Sequence, residues 1–211
     1  MVRTKLDKLK QEINHYLGIP YYINKTDSQN VSLVGKADHK QINLATQKVA
    51  KSENLNLTKL SSQDIYRLQK RHHIGIDCSG LVYHLLDFYY KQNTGKSIQN
   101  LVIGTDDKTG PRRINAYMFS HPQNSHLIKD FSQIKTADLI VTNHRKHILF
   151  VVDINKNQIS YVHSSQKTKI RGVHYGRLTI THPQKDLTYQ QFYETLETHS
   201  GDAIYRLHIF D

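Results

Sequence analysis

The sequence predicts an α+β fold built as one domain over residues 1–211. Helix-periodic apolar residues are confined to the first half of the chain, and strand-length apolar runs fill the second half. Turn-forming residues separate those runs, as in Asp153-Ile154-Asn155-Lys156-Asn157, so neighbouring strands are expected to pair antiparallel.

Leu6, Leu9, Ile13, Tyr16 and Leu17 recur at three- and four-residue steps, which predicts an amphipathic helix over residues 1–17, stopped by Gly18 and Pro20. From Asn24 to about Leu60 the chain is polar and weakly periodic and reads as loop or part-helix. The whole stretch 23–75 is expected to be an insertion, serving as a lid or a partner-binding surface. Within it, Ser61-Ser62-Gln63-Asp64 resembles a helix start, with Ile65, Leu68 and Gln69 following.

The clearest helix opens at Cys78. Leu81, Val82, Leu85, Leu86, Phe88 and Tyr89 form one apolar face, and Asn93-Thr94-Gly95 ends it. Residues 96–113 read as loop, and a short helix is expected from Arg113 to Phe119. Four strands then follow: Asp138–Val141, His147–Val152, Gln158–His163 and Ala203–Phe210.

Composition narrows the function classes. Apolar residues make up 37% and charged residues 22%, the balance of a well-solvated globular protein. The single cysteine excludes an internal disulfide and a cysteine-based zinc site. Met1 to Lys10 is charged, without an apolar stretch of signal-peptide length, so export would proceed with a removed leader or by another route. No run approaches membrane-span length. The excess of 29 Lys and Arg over 18 Asp and Glu gives a net charge of +11, which favours polyanionic partners. Those basic residues are scattered, densest at Lys70-Arg71-His72-His73, without a nucleic-acid-binding signature. A monomer that does not bind nucleic acid is expected.

The lone cysteine stands in Ile76-Asp77-Cys78-Ser79-Gly80-Leu81-Val82, at the start of the apolar helix. Unpaired backbone N–H groups and the positive end of the helix dipole favour an anion there, so the position shifts a thiol toward thiolate. On that ground Cys78 is expected to react well below the free-thiol pKa of about 8.5. A thiol nucleophile needs a base and a group that orients the base. Among the 14 histidines, His147 opens an apolar strand just after the polar Thr142–Lys146 hairpin, and His163 closes the next strand. Pairing through the turn at Asn155 to Asn157 brings both to one end of the hairpin, where His163 can orient His147. His144 is the chief rival for the base. Asp77 reads as a helix N-cap and Ser79 as a first-turn residue, and His72, His73 and His84 read as surface or packing residues.

These segments together resemble the NlpC-type cell-wall peptidases, a papain-like cysteine hydrolase family. The resemblance is carried by Asp77-Cys78-Ser79-Gly80-Leu81-Val82, Ala137-Asp138-Leu139-Ile140-Val141, His147-Ile148-Leu149-Phe150-Val151-Val152 and Tyr161-Val162-His163-Ser164-Ser165, with Tyr16-Leu17-Gly18-Ile19-Pro20-Tyr21 similar to the family's opening segment. It covers roughly residues 16–22 and 76–178. It implies a papain-like core whose central helix carries the nucleophile against an antiparallel sheet. It further implies Cys78 as nucleophile, His147 as base and His163 as orienting residue, with Tyr21, Asp77 and Ser79 on the substrate side and no metal or cofactor. The implied reaction is cleavage of amide bonds in peptidoglycan stem peptides, commonly between D-glutamate and a diamino acid, at the cell envelope or outside the cell. Four departures mark a divergent member: the long stretch between Tyr21 and Asp77, His-Ile-Leu-Phe in place of His-Val-Gly-Ile, Ala137-Asp138 in place of Gly-Asp, and a wider spacing from His147 to His163. Two other readings share the residues: a papain-like amidase, deamidase or acyltransferase acting on a protein, and an inactive wall-binding module.

Overall fold

The computed structural model describes residues 4–23, 35–105 and 110–211. Within these residues the chain is a mixed helix and strand fold whose antiparallel sheet curls into a half-barrel. The expected α+β class therefore holds.

Helix α1 (Lys5–Asn14) begins at a capping box in which Thr4 accepts from the Asp7 N–H and Asp7 bonds back to the cap. It stops short of residue 17, the end expected from periodicity, because the chain turns through Gly18 at φ +80°. Gly18 and Ile19 then pair with Val173 through two backbone hydrogen bonds of 2.9 Å.

The stretch before α4 carries two helices: α2 (His39–Ser52), capped by Asp38, where the sequence shows only weak periodicity, and α3 (Ser62–Arg71), capped by Ser61 at the expected helix start. Gln69 donates to the Thr46 hydroxyl at 3.1 Å, joining α3 to α2 in a buried contact. Ala37, Ile42, Ile74 and Ile76 enter the main hydrophobic core, so the described part of residues 23–75 is built into the domain. The expected loop character of 24–34 falls outside the described residues.

Helix α4 (Cys78–Thr94) matches its expected bounds, with Asp77 as N-cap and Gly95 as a left-handed C-cap at φ +74°. Its Leu81, Val82, Leu85 and Leu86 are fully or almost fully buried against the sheet. The short α5 (Ala116–Phe119) follows.

Seven strands complete the sheet: β1 (Ser125–Leu127), β2 (Leu139–Thr142), β3 (His147–Asn155), β4 (Gln158–Ser165), β5 (Gly172–Thr179), β6 (Gln191–Phe192) and β7 (Ala203–Leu207), in the order β1-β7-β2-β3-β4-β5-β6. The four expected strands are β2, β3, β4 and β7, with the last ending at Leu207 in a 3₁₀ turn. Alternation along β3 sends Ile148, Phe150 and Val152 into the core shared with α4. It sends Leu149 and Val151 into a second core with Ile159, Tyr161 and Leu178 on the other face.

Asp138 and Arg206 form a buried bidentate pair at 2.8 Å for both contacts, which ties β7 to the approach to β2. Ala137 beside it has φ +75°, a left-handed backbone that favours the glycine this position lacks.

The first turn of α4 is crossed at close range by residues 35–36. Gly35 turns at φ +79° and its carbonyl accepts from the Asp77 N–H at 3.0 Å. A side chain at Gly80 would place its Cβ 2.3 Å from that same carbonyl oxygen. Gly80→Ala is therefore expected to destabilise the fold by about 1–3 kcal/mol through overpacking against backbone. Chemical denaturation of the variant checks this, and an unchanged midpoint would contradict the crossing.

Candidate active site

The start of α4 is held from below by a buried cation. Lys36 Nζ contacts both Asp77 oxygens, at 2.8 and 2.6 Å, and the Ser79 hydroxyl at 2.5 Å. Asp77 also accepts from the Gly80 N–H at 2.6 Å as the helix cap. Asp77 and Ser79 are 2% and 3% exposed. Both side chains are thus committed to the interior, which corrects their expected place on the substrate side.

Cys78 is 6% exposed and shares the main core with Ile148, the residue after His147 at the start of β3. The helix-start argument alone favours a thiolate, but burial together with the Asp77 charge outweighs Lys36 and backbone N–H groups and pushes the thiol up to about 12. Burial thus works against the helix-start effect on which the expectation of an ionised thiol rests. Tyr21 lies close to it: burial first, then the charges of Cys78 and Asp77, raise the Tyr21 phenol and keep it protonated at neutral pH.

His147 and His163 come together as the hairpin register requires. Phe150 pairs with Val162 and Asn155 with Gln158, with a bulge between Val151 and Asp153. His147 Nε2 meets His163 Nδ1 at 2.8 Å. Burial, reinforced by the neighbouring His163, lowers His147 to about 3 and keeps its ring neutral across the physiological range. His144, the rival base, stacks instead on His199 with ring centroids 3.8 Å apart.

The pair continues into groups that sequence reasoning missed. β5 sets His174 directly across from His163, with the two Nε2 atoms 3.0 Å apart. Glu194 closes the cluster: its oxygens lie 2.8 Å from His174 Nε2 and 3.1 Å from His163 Nε2, and Tyr161 donates to it at 2.6 Å. Burial works to raise the Glu194 carboxyl, but hydrogen bonds from His163 and His174, the His163 charge and the Tyr161 bond outweigh it and hold it well below the usual carboxylate range.

The row continues through close contacts: His174 Nδ1 faces the Gly172 carbonyl at 3.0 Å, His163 Nε2 lies 3.0 Å from His174 Nε2 and 3.1 Å from a Glu194 oxygen, and His163 Nδ1 lies 2.8 Å from His147 Nε2. A His163 that donates from Nε2 accepts at Nδ1 from His147, and one that donates from Nδ1 leaves the hydrogen of His147 on Nδ1.

A cleft opens beside His147, lined among others by Tyr21, Thr142, Lys146, Lys167 and Leu196. Thr142 is fully buried and its hydroxyl has no hydrogen-bond partner, a polar group available to whatever fills the cleft.

Comparison with known proteins adds no assignment: no family model matches the chain, and no curated protein matches it significantly.

A neutral, buried thiol makes a direct kinetic prediction. Alkylation of Cys78 by iodoacetamide at pH 7 is expected to run at least about 100-fold slower in the folded protein than in urea, and to rise with pH beyond 9 as thiolate forms. A fast plateau below pH 7 would contradict the buried neutral state.

Proposed function

We propose that this protein is a papain-like cysteine hydrolase of the NlpC type that cleaves amide bonds in peptidoglycan stem peptides. The observation that carries the reading is the His147–His163 pair, Nε2 to Nδ1 at 2.8 Å, at the start of a strand whose Ile148 shares the core with Cys78 at the start of α4.

In this reading the neutral thiol and neutral imidazole act together. Cys78 attacks the amide carbonyl as His147 Nδ1 takes its proton, so no standing thiolate is needed. Backbone N–H groups at the start of α4 and the protonated Tyr21 phenol face the developing oxyanion. The imidazolium then protonates the leaving amine, and His147 activates a water that hydrolyses the thioester. His163 holds the ring in the required tautomer throughout.

The substrate class follows from charge. Lys146 and Lys167 border the cleft, Lys167 in an exposed pair with Glu197, and the chain carries a net charge of +11. Carboxylate-rich stem peptides, with D-glutamyl–diamino acid linkages, suit that rim, and anionic wall polymers suit the wider surface. Among the described residues no helix is long and apolar enough to cross a membrane. We place the protein's action at the cell envelope or outside the cell.

Digestion of purified peptidoglycan, followed by mass analysis of the soluble products, tests this. The native protein is expected to release fragments cut within the stem peptide. Cys78→Ala and His147→Asn should each lower the rate by at least about 10³-fold, while His144→Asn stays within a few-fold. Intact stem peptides alongside a modified protein substrate would point to the amidase or acyltransferase reading. Wall binding that is unchanged in Cys78→Ala, without any cleavage, would point to a binding module.

A further inference from the structure

Behind His147, three metal-ligating side chains converge in the second core. His163 is fully buried, and His174 and Glu194 have side chains 8% and 14% exposed. Their ligand atoms stand 2.8, 3.0 and 3.1 Å apart. Tetrahedral zinc with bonds of about 2.0–2.1 Å needs ligand atoms about 3.3–3.4 Å apart, so a few tenths of an ångström of opening would admit an ion. The His163 and His174 ring centroids are only 4.4 Å apart at an interplanar angle of 61°, so the rings are inclined to each other and not set end to end.

The surrounding contacts have the pattern expected around bound metal. A ligating histidine generally donates its other N–H to a carbonyl or another acceptor, which fixes ring orientation. His174 Nδ1 already does so to Gly172 O at 3.0 Å, and His163 Nδ1 has His147 Nε2 at 2.8 Å for the same purpose. Glu194 lies one residue before Thr195, which lines the cleft, and this gives an ion a way in.

We propose that His163, His174 and Glu194 form a binding site for a divalent first-row transition ion of the zinc type, set directly behind His147. The choice of ion class follows from two imidazoles and one carboxylate.

Chelator-stripped full-length protein is titrated with Zn²⁺ and Co²⁺, with thermal unfolding and Co²⁺ visible absorption as readouts. One ion per chain and a midpoint raised by several degrees are expected, with at least 10-fold weaker binding in His174→Asn and in Glu194→Gln. His126, His208 and Asp211 form an exposed second cluster, so His126→Asn/His208→Asn serves as the control and should leave this binding unchanged. Zinc K-edge absorption on the native protein keeps the test decisive if a core variant fails to fold, since it should report two imidazoles and a carboxylate. Lack of saturable binding at 100 µM, or equal binding in a folded His174→Asn/Glu194→Gln protein, would overturn the site. Binding in a protein that cleaves no wall peptide would sink the hydrolase reading and leave the metal site standing.

Discussion

The ionised carboxylate of Glu194, held in a mostly buried position, organises the chemistry on which the site depends. A buried charge persists only when hydrogen bonds and opposite charge replace the water it has lost. Here Tyr161, His163 and His174 supply them, from two adjacent strands. Tyr161 and His174 donate to the carboxylate and His163 Nε2 stands 3.1 Å from it, so Glu194 anchors the rings of a row that ends at His147.

The other half of the site is arranged by a second buried charge, Lys36. Its contacts with Asp77 and Ser79 fasten the chain crossing at 35–36 onto the first turn of α4, where Gly80 leaves room for it. This clamp fixes the helix start relative to the sheet. It also shows why the helix dipole does not by itself ionise the thiol: in the interior, loss of solvent and the nearby Asp77 charge oppose the dipole and backbone N–H donors.

Much of this was legible in the chain. The bounds of α4 follow from an Asp N-cap, an apolar face and a glycine C-cap, and the hairpin register that unites His147 with His163 follows from turn residues and two apolar runs. His174 was hidden because β5 lacks a strong apolar alternation: Tyr175 is partly exposed, Gly176 interrupts, and Arg177 is polar. Glu194 lies outside regular structure, between β6 and β7, where only tertiary packing brings it to the histidines. α3 was announced by its Ser61 cap, but α2 was obscured for another reason: its buried contacts include Thr46, a polar residue satisfied by Gln69, which leaves a weak hydrophobic period. Lys36 reads in sequence as one more surface cation, and only the close approach at Gly35 and Gly80 reveals it as interior.

The central claim is that His147 carries its hydrogen on Nε2 and leaves Nδ1 open, as the hydrolase reading requires. Two-dimensional ¹⁵N–¹H correlation across the imidazole rings of metal-free protein reads this tautomer directly. A neutral His147 protonated at Nε2 throughout pH 5 to 8 is the predicted result. A His147 that carries its hydrogen on Nδ1, or that is an imidazolium at pH 7, would contradict the account.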